Sequence, residues 1–134
     1  MTLDEQIAAL PPYALSMGMS VERIQDGAPV LALDFSERVL GRPGFVHGGA
    51  ISGLLEMAAI AALRAELARR GNCARIKPVN VSIEFMRGAG QGRTFALGRV
   101  TRAGRRIANL SATAWQDNPA KPVASAWMNV LLAE

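Results

Sequence analysis

The spacing of hydrophobic and polar positions changes along the chain and divides it into strands and one long helix. Residues 15–22 alternate between apolar and polar side chains, and this period of two predicts a strand. Asp26-Gly27 predicts a hairpin turn, with the return strand over residues 30–35. Four further strand-like stretches are predicted at the following positions: 77–87, 93–102, 106–116 and 121–132. The short connections between them indicate an antiparallel sheet.

A long helix is predicted over residues 50–70, between the second and third strands. Its first half is apolar on nearly every side, which is typical of a buried helix, and its last turns are charged. Gly71-Asn72 supplies a stop signal at its C-terminus. One sheet that must cover one apolar helix predicts an α+β fold in which the sheet curls around the helix.

The first residues predict a short helix. Thr2 and Glu5 have the spacing of a capping box, and Pro11-Pro12 ends the segment. The acidic residues near the start differ from the basic residues that begin a secretory signal, so no such signal is predicted.

Composition favours one domain over residues 1–134, because a chain of 134 residues with half of them hydrophobic can bury a sizeable core. The single cysteine, Cys73, rules out an internal disulfide and indicates a reducing compartment. The most apolar stretch, residues 50–63, is too short to cross a bilayer and contains Glu56. We therefore expect a cytoplasmic protein without a membrane partner.

The net charge of +4 is carried largely by arginine and favours anionic ligands, including nucleic acid and phosphorylated small molecules. An even scatter of arginines over a solvated surface explains the same charge. Aromatic residues make up 5% of the chain, which argues against a protein that stacks single-stranded bases. We expect no nucleic-acid partner.

Gly48 and Gly49 begin the predicted helix and are candidates for a site that polarises a carbonyl. The first N–H groups of a helix have no partner within it and lie at the positive end of its dipole. Such donors stabilise an oxyanion, and glycine lets a substrate approach the backbone closely.

Glu56 is the one charged residue between positions 50 and 63, inside a segment that is otherwise apolar. Burying an unpaired carboxylate costs on the order of several kcal/mol, so a function is expected to retain it. A carboxylate withdrawn from water suits the work of a general base or nucleophile. A structural salt bridge with an arginine is the alternative.

His47 precedes the two glycines and is predicted to position the loop. The sequence has no G-x-S-x-G elbow for a serine hydrolase, since Ser52 lies in the run Gly49-Ala50-Ile51-Ser52-Gly53. One histidine and one cysteine are too few for a zinc site, so no metal is expected.

Two motifs carry a resemblance to a known family. Val46-His47-Gly48-Gly49 is followed by a carboxylate nine positions after the histidine, and residues 80–87 form the run NVSIEFMR. With the order of elements over nearly the whole chain, these motifs resemble the PaaI-like branch of hotdog-fold acyl-CoA thioesterases.

The resemblance implies a hotdog fold and hydrolysis of an aryl- or fatty-acyl-CoA. It implies that Glu56 is the general base or nucleophile and that the Gly48 N–H polarises the thioester carbonyl, beside His47 and Gly49. It also implies a homodimer or a dimer of dimers. No cofactor is implied, because coenzyme A is part of the substrate.

Five residues are candidates for binding the substrate or its CoA portion: Asn80, Arg87, Arg102, Arg105 and Arg106. The last three cluster around a predicted hairpin turn, and arginines suit the several phosphate charges of coenzyme A.

Alternatives to hydrolysis stay open. Position 41 is glycine where many relatives carry Gln or Asn, and position 60 is isoleucine where some carry Thr or Ser. These differences leave room for a hotdog protein that binds acyl-CoA without catalysis. A hotdog dehydratase is disfavoured because its usual Asp/His arrangement on the helix is absent.

The spacing of Gly48 and Glu56 predicts a site shared by two chains. Eight residues of helix separate their backbones by about 12 Å. A glutamate side chain that points toward the helix start recovers only part of that distance. Two antiparallel helices related by a two-fold axis bring the groups together.

Overall fold

A computed structural model describes residues 2–133 of the chain. Its helices and strands follow in this order: α1 (Leu3–Ala8), α2 (Pro12–Ser16), β1 (Met19–Gln25), β2 (Ala28–Leu33), a 3-10 turn (Glu37–Val39), α3 (Gly48–Arg69), β3 (Arg75–Phe85), β4 (Thr94–Ala103), β5 (Ile107–Trp115) and β6 (Ala124–Ala133).

The six strands form one antiparallel sheet in the order β1-β2-β4-β5-β6-β3. The long helix α3 lies on its inner face, against β2, β4, β5 and β6. Leu54, Leu55 and Leu63 of this helix are completely buried, as its apolar sequence predicts. The α+β hotdog arrangement expected from the sequence is confirmed.

Small residues let the helix and sheet approach closely. A Cβ atom on Gly98 of β4 would overlap the carbonyl of Ala58, so α3 rests directly on the strand backbone. The neighbouring strands present inward-facing alanines, among them Ala108, Ala112 and Ala126. The sheet therefore curves around the helix without large side chains between the two layers.

The predicted strand over residues 15–22 is wrong in its first half. Pro12 begins α2, where its missing N–H costs nothing, and the helix runs to Ser16. Gly18 then takes a positive φ of 80°, and β1 begins at Met19. Leu15, predicted on the apolar face of the strand, is 61% exposed.

The other predicted elements are confirmed with shifted ends. Asp26 and Gly27 form the hairpin turn with φ values of 52° and 79°, as a type I′ turn requires. The return strand occupies Ala28–Leu33 rather than residues 30–35. The largest shift among the later strands is in β6, which begins at Ala124 rather than residue 121.

The N-terminal capping box is confirmed. The Thr2 side chain accepts a hydrogen bond of 3.1 Å from the Glu5 N–H, and the Glu5 carboxylate accepts one of 3.0 Å from the Thr2 N–H. Cys73 is exposed as a free thiol. Over residues 2–133, no helix combines the length and hydropathy needed to cross a bilayer.

The two edges of the sheet differ in character. At one edge, β1 carries Glu22 and Arg23, and its pairing with β2 is interrupted by a bulge between Val21 and Arg23. At the other edge, β3 is eleven residues long and is exposed over most of its length. Its apolar Val79 and Phe85 are 60% and 56% exposed. Both edges carry charges and a bulge, which in β3 lies between Pro78 and Asn80, so β3 is distinguished by its length and by its exposed apolar side chains.

Candidate active site

The start of α3 is organised by His47, which is its N-cap residue. The Nδ1 atom of His47 accepts a hydrogen bond of 2.8 Å from the Gly49 N–H. A Cβ atom on Gly49 would lie 3.0 Å from this nitrogen, so glycine makes room for the imidazole. This contact fits the positioning role predicted for His47.

The cap of α3 distinguishes Gly48 from Gly49, which the sequence analysis treated together. The Gly49 N–H is occupied by His47, whereas the Gly48 N–H donates to no group within residues 2–133. Gly48 is the first residue of a helix of 22 residues, and its N–H therefore lies at the positive end of the helix dipole. Of the two glycines, Gly48 offers the free donor.

A groove of about 510 Å³ opens beside this donor. It is lined by Gly41, Arg42, Phe45, Val46, His47, Gly48, Ile51, Phe85, Met86, Arg87, Gly88 and Ala89. The loop before α3 forms one wall and the end of β3 with the following loop forms the other. The Val46 N–H donates to the Ala89 carbonyl at 2.9 Å and joins the two walls.

Two aromatic residues of the groove were missed by the sequence analysis. Phe45 packs on Gly88, where a Cβ atom would lie 2.9 Å from the ring, and the Arg42 guanidinium lies over this ring at 4.2 Å from its centroid. Phe85 would lie 3.5 Å from a Cβ atom on Gly48. Gly88, which follows Arg87, is the one feature of the sequence that indicates this packing.

Glu56 lies two helical turns beyond Gly48 and does not line the groove. Its side chain is half-buried, which corrects the expectation of full burial. The salt-bridge alternative is not supported, because the carboxylate has no ion pair or hydrogen bond within the described part of the chain. Glu56 is thus a carboxylate without a partner on a largely apolar helix.

The two positions that differ from relatives are structurally well defined. A Cβ atom on Gly41 would lie 3.0 Å from the Cα of His47, so the loop packs tightly against the N-cap residue. Ile60, one turn after Glu56, is 5% exposed and joins the core. Neither position presents a polar side chain toward Gly48 or Glu56.

The candidate binding residues are divided among three places. Arg87 is exposed in the groove with Gly48. Arg102 lines a separate cleft of about 870 Å³ with Arg69 and Arg70, at the C-terminal end of α3. This end of the helix lies about 30 Å from Gly48, given a rise of 1.5 Å per residue.

Arg105 and Arg106 are exposed in the turn between β4 and β5, next to Arg102 and away from the groove. One chain therefore brings Arg87 to Gly48 and leaves the other three arginines at the far end of the molecule. The predicted clustering of Arg102, Arg105 and Arg106 at a hairpin turn agrees with the positions of β4 and β5.

Asn80 lies on the outer face of the sheet, in a row of three asparagines. The Asn109 side-chain amide donates to Asn129 at 2.6 Å, and the Asn129 amide donates to Asn80 at 3.0 Å. These residues are direct cross-strand neighbours on β5, β6 and β3. In the single chain Asn80 is thus engaged in the sheet and is separate from the groove.

Comparison with known proteins decides the family. The sequence profile described as the thioesterase superfamily matches residues 43–123, which include α3 and all of the groove except Gly41 and Arg42. The chain belongs to the thioesterase superfamily. No curated protein sequence matches it.

Solved structures share the thioesterase fold over nearly the whole chain. A Chromobacterium violaceum protein is 32% identical, with 97% of this chain and 88% of that chain covered and a TM-score of 0.72. A thioesterase from Haemophilus influenzae is 14% identical, with 100% and 92% covered and a TM-score of 0.81.

A mutant of the phenylacetic acid degradation protein PaaI from Thermus thermophilus is 23% identical, with 90% of this chain and 98% of that chain covered and a TM-score of 0.72. The sequence profile confirms the thioesterase family predicted from the motif around His47 and Glu56, and the PaaI structure shares the fold.

Proposed function

We propose that this thioesterase-superfamily protein hydrolyses an aryl- or fatty-acyl-CoA to the free acid and CoA. The free Gly48 N–H at the start of α3 is the observation that carries the proposal. A single donor aimed from a helix N-terminus stabilises the negative charge that develops on a thioester oxygen. The adjoining groove, lined by Phe45 and Phe85, offers apolar contact to the acyl group or the pantetheine arm.

Glu56 supplies the second half of the chemistry. The carboxylate takes a proton from water as the water oxygen bonds to the carbonyl carbon, or it attacks the carbon itself. The C–S bond then breaks, and the CoA sulfur leaves and acquires a proton. When the carboxylate itself has attacked, water then hydrolyses the acyl–Glu56 anhydride, which releases the acid and restores the carboxylate. The absence of any partner for Glu56 within residues 2–133 leaves its oxygens available for either route.

The proposed site is shared between two copies of the chain. A reacting carbonyl must lie close to the polarising N–H and within about 3–3.5 Å of the attacking atom. Gly48 and Glu56 of one chain are about 12 Å apart along α3, and Glu56 is outside the Gly48 groove. Glu56 of a second, antiparallel copy closes this distance.

The exposed edge of β3 supports the association. Pairing of β3 with β3 of a second copy satisfies the open backbone groups of both edges and is isologous, as a two-fold dimer requires. It also covers exposed Val79 and Phe85, next to the Gly48 groove. The proposed homo-oligomer is this dimer or a pair of such dimers.

Release of free thiol from a panel of aryl-CoA and fatty-acyl-CoA substrates tests the proposed activity. Turnover of at least one class, above the rate of the buffer, is the expected result. Saturable binding of acyl-CoA without thiol release would instead favour the non-catalytic hotdog protein, for which Gly41 and Ile60 are the motivating residues.

The arginines of the β4–β5 turn are proposed to bind the CoA nucleotide from across the dimer. In a two-fold dimer with antiparallel α3 helices, the C-terminal end of α3 in one copy lies on the same side as the N-terminal end of α3 in the other. The β4–β5 turn of one copy is therefore on the same side of the dimer as Gly48 of its partner. Replacing Arg105 and Arg106 with alanine should raise KM for acyl-CoA roughly tenfold, the effect of losing about 1.4 kcal/mol of binding. KM for an N-acetylcysteamine thioester, which has no nucleotide, should change little.

Arg23→Ala is the matched control, since it removes an exposed arginine from the edge strand β1, which β2 separates from β4. Both KM values should stay at the parental level in this variant. An equal loss on the two substrates in the Arg105/Arg106 variant would contradict nucleotide binding and assign the pair to the fold or to the site of reaction.

A further inference from the structure

The side chain of Tyr13 rests on α3 at Gly53. A Cβ atom on Gly53 would overlap the tyrosine hydroxyl and would lie 3.2 Å from its Cε2 and Cζ atoms. Glycine at position 53 therefore creates the place that the phenol occupies. Tyr13 belongs to the short helix α2, is 45% exposed, and is the single tyrosine of the sequence.

This contact lies one helical turn before Glu56. Residues three apart on a helix are neighbours, with Cβ atoms about 5–6 Å apart. Helical side chains lean toward the N-terminus, so the carboxylate of Glu56 leans over the turn that contains Gly53. The Tyr13 hydroxyl thus lies against the helical turn over which the Glu56 side chain leans.

Other hydroxyl groups near Glu56 are engaged or missing. Ser52 lies one turn before Glu56, but its Oγ donates to the Gly48 carbonyl at 2.9 Å. Ile60, one turn after Glu56, offers no polar atom. The Tyr13 hydroxyl has no hydrogen-bond partner among residues 2–133, and neither does the Glu56 carboxylate. Two groups of complementary chemistry therefore belong to neighbouring turns of the α3 surface, each without a partner among residues 2–133.

We propose that Tyr13 is a positioning residue for Glu56, its hydroxyl donating a hydrogen bond to the carboxylate in the working site. The inference rests on the proposed thioesterase function of Glu56. The bond fixes the carboxylate rotamer, so that one oxygen stays turned toward the thioester or its attacking water.

Tyr13→Phe removes the hydroxyl and leaves the ring in place. We expect kcat to fall roughly tenfold with KM unchanged, since the lost bond orients a reacting group and does not hold substrate. The melting temperature should stay at the parental value, so a structural role alone would not give this pattern.

Gly53→Ala tests the same contact from the other side. The added methyl displaces the Tyr13 ring end, which is a flexible partner, and should lower kcat about as much as Tyr13→Phe does. In a Tyr13→Ala background, Gly53→Ala should cause no further loss of kcat, because the residue it displaces is already gone. Additive losses would contradict the inferred contact.

Glu56→Gln, measured beside these variants, separates the two proposals. An inactive Glu56→Gln together with parental kcat in Tyr13→Phe would overturn the role of Tyr13 and leave the proposed function intact. Full activity in Glu56→Gln, or an inactive parent, would overturn both.

Discussion

Glu56→Gln is expected to fold and associate as the parent does and to lose about 100-fold or more of kcat toward acyl-CoA. The substitution keeps the volume of the side chain and removes the charge that accepts a proton or attacks the carbonyl. Because Glu56 has no ion pair among residues 2–133, no structural partner is orphaned by the change. Thiol release under single-turnover conditions measures the chemical step directly.

Glu66→Gln provides the matched control on the same helix. Glu66 forms surface ion pairs with Arg69 and Arg70 at 3.4 and 3.0 Å, which contribute little to stability at exposed positions. Its kcat should remain parental. Near-parental turnover by pure Glu56→Gln protein would sink the proposed mechanism.

Gly48→Pro is expected to reduce kcat by about 100- to 1,000-fold, the usual effect of deleting one oxyanion donor. Proline is well tolerated at the first position of a helix, which Gly48 occupies. His47 has φ −60° and ψ 138°, an extended conformation that is compatible with a following proline. The substitution therefore removes one free N–H and leaves the helix start intact, which circular dichroism and thermal unfolding can verify.

Gly48→Ala is the control for the added bulk. Its methyl group would lie 3.5 Å from the Phe85 ring, an ordinary contact distance, and its N–H is retained. We expect kcat to stay within roughly tenfold of the parental value, since the donor is still present. Equal losses in the alanine and proline variants would show that space at position 48, and not the donor, controls turnover.

The strongest periodic patterns predicted the fold correctly. The apolar segment of α3 and the alternation in β6 reflect which side chains are buried, and burial can be read from the polarity of the residues. The segment from Leu15 to Gly18 was mispredicted as strand because its alternation coincides by chance with a strand pattern. Proline at the first helical position and glycine at positive φ determined the local structure there.

The site was predictable in its residue types and not in its contacts. A lone carboxylate in an apolar helix and a glycine pair at the helix start both stand out in sequence. The capping of Gly49 by His47 depends on a side-chain rotamer, and the contact of Tyr13 with Gly53 joins residues far apart in the chain. The periodicity of the sequence carries no information on either contact. The three-dimensional structure was therefore needed to identify the Gly48 N–H as the free donor.

Mixing two inactive variants tests the central claim that Gly48 and Glu56 act on one thioester from different chains. Glu56→Gln chains and Gly48→Pro chains are combined, exchanged by mild denaturation, and checked for mixed dimers by differential tags. Random exchange makes half of the dimers mixed, and one of the two sites in each is intact, so activity should return to about one quarter of the parental value. No recovery despite proven exchange, or a catalytically active monomer, would contradict the shared site.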